Sequence, residues 1–185
     1  MERKININEK FFVAGGNGMV GSAIIRKLKK SGYGKKSDHS ILQPSREELD
    51  LKDLKETEKW FKKFKPTVVI VAAAKVGGIM ANSENPADFI LENLKIQNNL
   101  IETSFNFGVK RLLFLGSSCI YPKYAEQPIK EESLLRGELE PTNEYYAIAK
   151  ISGIKLCESL RKQHSFDAIS LMPTNLYGPK DNYHP

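Results

Sequence analysis

The chain has 185 residues, enough for one domain with a full core and short of a comfortable two. Hydrophobic residues make up 41% and charged residues 27%, an ordinary globular mix, and the longest apolar run, 68–74, is far too short to span a bilayer. The formal charge of +6 permits an anionic partner, but the basic residues are scattered, several of them late in expected helices where cations complement the dipole, so nucleic-acid binding is the weaker reading. Met1 to Asn6 contains no apolar stretch of signal-peptide length. Two cysteines, Cys119 and Cys157, make neither a disulfide framework nor a metal-ligand spacing and fit a reducing cytoplasm.

In chain order, a strand expected over 10–14 runs into Gly15-Gly16-Asn17-Gly18-Met19-Val20-Gly21, and an amphipathic helix over 19–30 follows. Strand, glycine loop and helix are the context in which a dinucleotide pyrophosphate is held on a helix N-terminus. The spacing is G-x-x-G-x-x-G: Gly15 for the tight turn, Gly18 for close backbone approach to the pyrophosphate, Gly21 for helix–strand packing. A plain glycine-rich β–α turn is the structural alternative. Ser31-Gly32-Tyr33-Gly34 ends the helix.

A second strand, 40–43, does not end in the Asp or Glu that would accept bonds from the adenosine ribose 2′-OH. Pro44-Ser45-Arg46 follows instead, and a guanidinium with a hydroxyl favours a 2′-phosphate, hence NADPH over NADH. The alternative is that Arg46 pairs with Glu47 or Glu48. Asp50 and Leu51 are weaker candidates for the adenine border. A helix over 51–63 points Leu51, Leu54, Trp60, Phe61 and Phe64 toward a core and stops at Pro66.

Strand 67–73, helix 87–107, strand 111–116, a long loop 120–143, helix 144–163 and strand 168–172 complete the pattern. This alternation predicts an α/β fold, a Rossmann-like doubly wound parallel sheet, in whose numbering 111–116 is strand five and 168–172 strand six. Gly116-Ser117-Ser118-Cys119 then lies at the carboxyl end of a strand, where such sheets bind ligands. Tyr146 and Lys150, at i and i+4, share a helix face. There the Ser117 hydroxyl can bond a reacting carbonyl while Tyr146 protonates it, and Lys150 lowers the phenol pKa and holds the nicotinamide ribose. Alone, such a Tyr–Lys spacing is a surface pair; with the glycine loop it points to hydride chemistry on a carbonyl or alcohol. Tyr145 lacks the spacing, Cys157 reads as core, and His39 and His164 read as exposed.

Several blocks carry a family resemblance: Gly18-Met19-Val20-Gly21-Ser22, Ala72-Ala73-Ala74-Lys75-Val76-Gly77-Gly78, Asn85-Pro86-Ala87-Asp88, Gly116-Ser117-Ser118-Cys119-Ile120-Tyr121-Pro122, Tyr146-Ala147-Ile148-Ala149-Lys150 and Met172-Pro173-Thr174-Asn175-Leu176-Tyr177-Gly178-Pro179. On these the chain resembles the extended short-chain dehydrogenase/reductases that act on nucleotide sugars, and more narrowly the GDP-4-keto-6-deoxy-D-mannose epimerase/reductases, the GDP-L-fucose synthase family. The resemblance implies a GDP-sugar substrate and NADPH, inversion at C3 and C5 through an enolate, then hydride delivery to C4 with Tyr146 as proton donor. Cys119 matches the cysteine of the family's Cys/His acid–base pair; as a lone cysteine it would read as a small apolar filler. Ser118 and the 173–176 segment (Pro173, Thr174, Asn175, Leu176) would line the cofactor and sugar sites. The long helices 87–107 and 144–163 would pair across a two-fold axis in a homodimer, unless their apolar residues simply cover the sheet.

Two departures stand out. Tyr145 replaces a frequent proline, and the family's histidine falls a few residues beyond Asn182-Tyr183-His184-Pro185, so that His184 matches only the preceding His-Pro. The expectation is an amino-terminal NADP-binding domain, residues 1–185, without the substrate domain and without full epimerase activity. The enzymatic alternative is an NAD-dependent nucleotide-sugar 4-epimerase or 4,6-dehydratase, though dehydratases typically carry an acidic pair where Ser118-Cys119 stands. The alternative of a different class is a non-catalytic dinucleotide-binding module.

Overall fold

Short, branched, apolar runs separated by helices can pair side by side only as a parallel sheet, because each helix carries the chain back to the same edge. The computed structural model describes residues 5–35 and 41–181. In it β1 (Phe11–Ala14), β2 (Ile41–Leu42), β3 (Val68–Val71), β4 (Arg111–Leu115) and β5 (Ala168–Leu171) form one sheet of order β2-β1-β3-β4-β5. Every pairing is parallel, with Phe12 beside Leu42 and Val69, Val69 beside Leu112, and Leu112 beside Ala168. The helices are α1 (Met19–Lys30), α2 (Leu54–Phe64), α3 (Ile79–Glu84), α4 (Pro86–Asn106) and α5 (Glu144–His164).

Strand alternation divides the core. Phe12, Val69, Val71, Leu112 and Phe114 pack with Phe61, Leu100, Ile101, Ile151 and Ile154 of α2, α4 and α5. Phe11, Val13, Val68 and Ile70 pack on the other face with Ile25, Ile24 and Leu28 of α1. The right-handed crossover rule accounts for this: the steps toward β3, β4 and β5 run one way along the sheet, and only the β1–β2 step runs the other. On α1's face the β4–β5 end is open. Leu113, Leu115 and Ile169 are half-buried there and Leu171 is 48% exposed, with no helix among the described residues laid over them.

The expected elements are found with three corrections. First, α2 begins at Leu54 rather than residue 51, because the Asp53 carboxylate caps it, accepting from the Glu56 amide at 3.0 Å. Its inward face is therefore Thr57, Trp60, Phe61 and Phe64, and Leu54 is exposed. Second, the short α3 was not expected, and the 120–143 loop holds the 3-10 turns Glu131–Ser133 and Pro141–Asn143, with a third at Ser118–Ile120. Third, the described residues form five strands, not six. Between β2 and α2 the backbone amides of Ser45, Asp50 and Lys52 are taken by the carboxylates of Glu48, Glu56 and Asp50, which leaves that segment as turns. Ser40, expected in the second strand, lies outside the described residues.

Phe61 is fully buried and stands edge-on to Phe12, with ring centroids 5.6 Å apart. Phe61→Ala should cost about 3–5 kcal/mol and Leu54→Ala within about 0.5 kcal/mol, read as shifts in urea midpoint. Equal shifts would place the α2 phase wrongly.

Candidate active site

The sheet reverses direction between β1 and β3, and in such a sheet the crevice outside the carboxyl ends at that point is where ligands bind. The glycine loop sits on it. Gly15 has φ +77, and a Cβ there would lie 2.8 Å from the Ala72 carbonyl oxygen and the Ala73 Cα, so the turn after β1 abuts the exit of β3. Any side chain at Gly21 would collide with the Gly15 carbonyl, so the first turn of α1 lies directly on the loop after β1, while Ile24, Ile25 and Leu28 further along pack with the strands. Gly18 caps α1 with no side chain, and the first turn holds no acidic residue. The first bond inside the helix is Ser22 N–H to Gly18 O at 2.9 Å, which leaves the Met19, Val20 and Gly21 amides without acceptors in α1. Asn17 is exposed at the loop tip beside the buried Gly16. The result is an uncapped, positive helix end facing the crevice, suited to an anion.

Arg46 follows β2 and is exposed. Glu48 turns back on Ser45, its carboxylate accepting the Ser45 amide at 2.8 Å, and among the described residues no ion pair joins Arg46 to Glu47 or Glu48. The guanidinium is thus not consumed by the acidic neighbours that offered the structural alternative.

Beyond β4, Ser117 begins the 118–120 turn. Its Oγ accepts from the Cys119 amide at 3.3 Å and from the Cys119 Sγ at 3.0 Å. The Gly116 amide donates to Leu171 O at 2.7 Å and the Ser118 amide to Pro173 O at 3.0 Å. These bonds bring the β5 exit alongside: Pro173 is half-buried, and Thr174, Asn175 and Leu176 are exposed. From α5, Tyr146 is half-buried while Tyr145 is exposed. Lys150 is only 4% exposed. Its ammonium donates to Leu115 O at 2.8 Å and lies 5.0 Å from the Phe114 ring centre and 5.7 Å from that of Tyr146.

Burial dominates the electrostatics. It pushes Lys150 down from 10.5 to about 8, with Cys119's negative form pulling the other way. It pushes the Tyr146 phenol well up, and a negative charge on Cys119 adds to that rise. It raises the Cys119 thiol, against which act the Ser117 hydrogen bond and the Lys150 ammonium. The expectation that Lys150 lowers the phenol is therefore corrected: the ammonium is directed at the Leu115 carbonyl, and desolvation of the phenol outweighs it.

Two site-building residues were missed in the sequence. Asn93, 2% exposed, takes the Lys75 amide on its Oδ1 and donates to the Lys75 carbonyl, both at 3.0 Å, clamping the loop after β3. Gln97, also 2% exposed, donates to Ala149 O at 2.6 Å and ties α4 to α5. The signal was present: two carboxamides at i and i+4 on a helix face that packing would otherwise fill with aliphatic groups. Lys75 itself pairs with Glu92 at 2.7 Å and Asp88 at 3.0 Å. Cys157 is core, and His164 is exposed beside Phe105. His39 and His184 lie outside the described residues. Among the described residues no group of three His, Cys, Asp or Glu side chains could hold a metal, and no helix is long and apolar enough to cross a membrane.

Residues 11–185 match the NAD dependent epimerase/dehydratase family, and the chain belongs to it. It is 58% identical over 176 residues to GDP-L-fucose synthase 1 of Arabidopsis thaliana, covering 95% of this chain and 53% of that protein. Among solved structures it is similar to MlghC, the GDP-mannoheptose C4 reductase from Campylobacter jejuni with NADP bound, at 40% identity and TM-score 0.90, over 97% of this chain and 55% of that one. It is also similar to a GDP-L-fucose synthetase from Naegleria fowleri bound to NADP, at 31% identity and TM-score 0.82, over 97% and 54%. The chain spans about half the length of the curated relatives it matches.

Holding a buried lysine charged opposes folding. A fall from 10.5 to about 8 corresponds to roughly 3 kcal/mol, at about 1.4 kcal/mol per tenfold in proton affinity. Below pH 8 the folded and unfolded chains both carry the proton and the whole cost is felt; between pH 8 and 10.5 the unfolded chain binds more protons, so stability rises with pH. Lys150→Met orphans the Leu115 carbonyl at a cost of about 1 kcal/mol, so it should be more stable than the parent by about 1–2 kcal/mol at pH 7. Denaturant melts from pH 7 to 10.5 should show that advantage vanish and then reverse, because the parent recovers roughly 3 kcal/mol over that range; a pH-independent difference would refute the buried charge.

Proposed function

We propose that this chain is the NADP-binding half of a GDP-L-fucose synthase, which inverts C3 and C5 of GDP-4-keto-6-deoxy-D-mannose and then reduces C4. The observation that carries this reading is the convergence of Ser117, Cys119, Tyr146 and Lys150 around the end of β4, beside an uncapped helix end in the sheet crevice. The identity to GDP-L-fucose synthases and the NADP-bound structural neighbours support it. The residues fit the cofactor: the Met19, Val20 and Gly21 amides would hold the pyrophosphate on the α1 dipole, with Gly15, Gly16, Asn17 and Gly18 keeping the loop low enough for its approach. Arg46, with Ser45, would hold the adenosine 2′-phosphate, and Pro173 to Leu176 would flank the nicotinamide.

Bound there, the reduced nicotinamide supplies a hydride. Ser117 would bond the C4 carbonyl oxygen, and Lys150 would hold the nicotinamide ribose and stabilise negative charge nearby. Tyr146, its phenol held protonated by burial, gives its proton to the oxygen as alkoxide develops. For epimerisation the 4-keto group acidifies C3–H and C5–H. Cys119, its thiol raised by burial and brought only partly back by Ser117 and Lys150, takes the proton to leave an enolate, and a second proton carrier on the opposite face of the sugar completes the inversion. In the family resemblance that carrier is a histidine. We assign it, with the GDP-sugar domain, to the other half of the parent protein; the open β4–β5 face, with Leu171 exposed, is the surface such a half would cover. A homodimer through α4 and α5 fits the 510 Å³ groove lined by Asn98, Glu102, Phe105, Ser152, Leu156 and Leu160. Two free cysteines fit a reducing cytoplasm.

The test is a fluorescence titration of the 185-residue chain with NADPH and NADH. NADPH should bind at least about tenfold tighter, and Arg46→Ala should erase the preference while leaving NADH affinity within about twofold, as expected for one charge-assisted contact to the 2′-phosphate. Equal or tighter NADH binding by the parent sinks the NADP assignment. Full-length-enzyme rates from this chain on GDP-4-keto-6-deoxy-D-mannose sink the assignment of a missing half.

A further inference from the structure

We propose that Gly153 is a positioning residue for the Tyr146–Lys150 pair: its bare Cα lets α5 lie close enough on the Phe114 ring for the Lys150 ammonium to reach the end of β4. Its catalytic consequence rests on the function proposed above; its structural content does not.

Gly153 lies three residues beyond Lys150, on the same face of α5. A Cβ at this position would stand 2.5 Å from Phe114 Cζ, 2.9 Å from Cε1 and 3.0 Å from the Gln97 Cδ. Non-bonded carbons settle at about 3.5–4.0 Å, so a single methyl would force the surfaces apart by about 1 Å. Neither neighbour can yield: Phe114 is fully buried in the sheet core, and the Gln97 amide is held at 2.6 Å to Ala149 O, on the same turn of α5. Backbone conformation gives no reason for glycine here, since residue 153 sits mid-helix without a positive φ. In a helix interior glycine costs about 0.5–1 kcal/mol relative to alanine, so room is what the residue provides. That room has a definite use. Lys150 passes beside the same Phe114 ring, 5.0 Å from its centre, to reach Leu115 O at 2.8 Å. A helix lifted by about 1 Å stretches that bond past hydrogen-bonding distance and carries Tyr146 with it.

The experiment compares the parent chain with Gly153→Ala, Phe114→Leu and the double variant. The first readout is residue-resolved reductive methylation of lysines, which needs no ligand. In G153A, Lys150 should label about fivefold or more faster while Lys155, on the same helix, keeps its rate, because local protection falls without global unfolding. NADPH affinity should fall about tenfold, as a 1 Å misplacement at a reacting site does or exceeds. In the double variant Leu lacks the two ring atoms that the methyl would meet most closely, leaving the 3.0 Å approach to Gln97 Cδ, so both readouts should return most of the way to the Phe114→Leu values. Folded G153A with parental Lys150 labelling overturns the proposal, and so does a double variant that fails to recover. Should G153A alone not fold, the double variant decides: folded with Lys150 protected upholds the proposal, and unfolded overturns it. A parent chain that does not bind NADPH defeats the proposed function, and the labelling still judges Gly153.

Discussion

One buried cation organises this molecule. The Lys150 ammonium lies almost wholly out of water and donates to the Leu115 carbonyl at the end of β4. A charge in that position costs folding energy unless partners compensate, and a single neutral carbonyl compensates only in part. The fold meets the rest through packing. Phe114 offers its ring face, Gly153 gives α5 its close seat, and Gln97 grips the turn between Tyr146 and Lys150 from α4. A stability maximum would place an aliphatic residue at 150. A lysine here, at a cost in stability, accords with the role proposed for it above.

The second constraint is topological. Because only the β1–β2 step runs against the others, the crevice opens between β1 and β3, and the two loops that flank it are held by different means. The loop after β1 is held by the absence of side chains: Gly15 and Gly21 are pressed against backbone on two sides. The loop after β3 is held by a buried side chain, Asn93, which bonds both the amide and the carbonyl of Lys75 as a neighbouring strand would. The loop after β1 thus keeps the Met19, Val20 and Gly21 amides without helical acceptors, while Asn93 satisfies both backbone groups of Lys75.

Much of this was legible in the sequence wherever a local signal and its cause coincide. The limits of α1 were readable because the glycine loop starts the helix and Ser31-Gly32 stops it. Tyr146 could be told from Tyr145 because helix periodicity fixes which phenol sits above Lys150. The start of α2 was misplaced because Leu51 does pack on the core but does so from the turn before the helix, and the Asp53 cap sets the first helical residue three positions later without changing the face that Trp60, Phe61 and Phe64 present. Asn93 and Gln97 were overlooked because a polar residue on an apolar face reads as an exception until its long-range partner is known. Such partners lie 18 and 52 residues away, beyond any window of periodicity. The relation of Lys150 to the phenol failed for a similar reason: spacing gives proximity, but desolvation is set by the whole core.

The same desolvation explains how one lysine can serve two weak acids. Cys119 and Tyr146 both rise on burial; a negative charge on Cys119 raises Tyr146 further and offsets part of the fall that burial imposes on Lys150. The low-dielectric site therefore disfavours two anions around one ammonium, and ionising the thiol tightens the phenol's hold on its proton. Ser117, in contact with Sγ at 3.0 Å, favours the thiol as the group to ionise first. For the proposed reaction this is the required ordering: a sulfur base acts while the phenol is still an acid, and the phenol gives up its proton only when hydride transfer has built a stronger base, the C4 alkoxide, beside it. Were the phenol's affinity for its proton low, as proximity to Lys150 alone suggested, Tyr146 would compete with Cys119 for the one positive charge and would be a poor donor at the second step. Burial that raises both groups, with a hydroxyl assisting only one, separates the two tasks without a second cation.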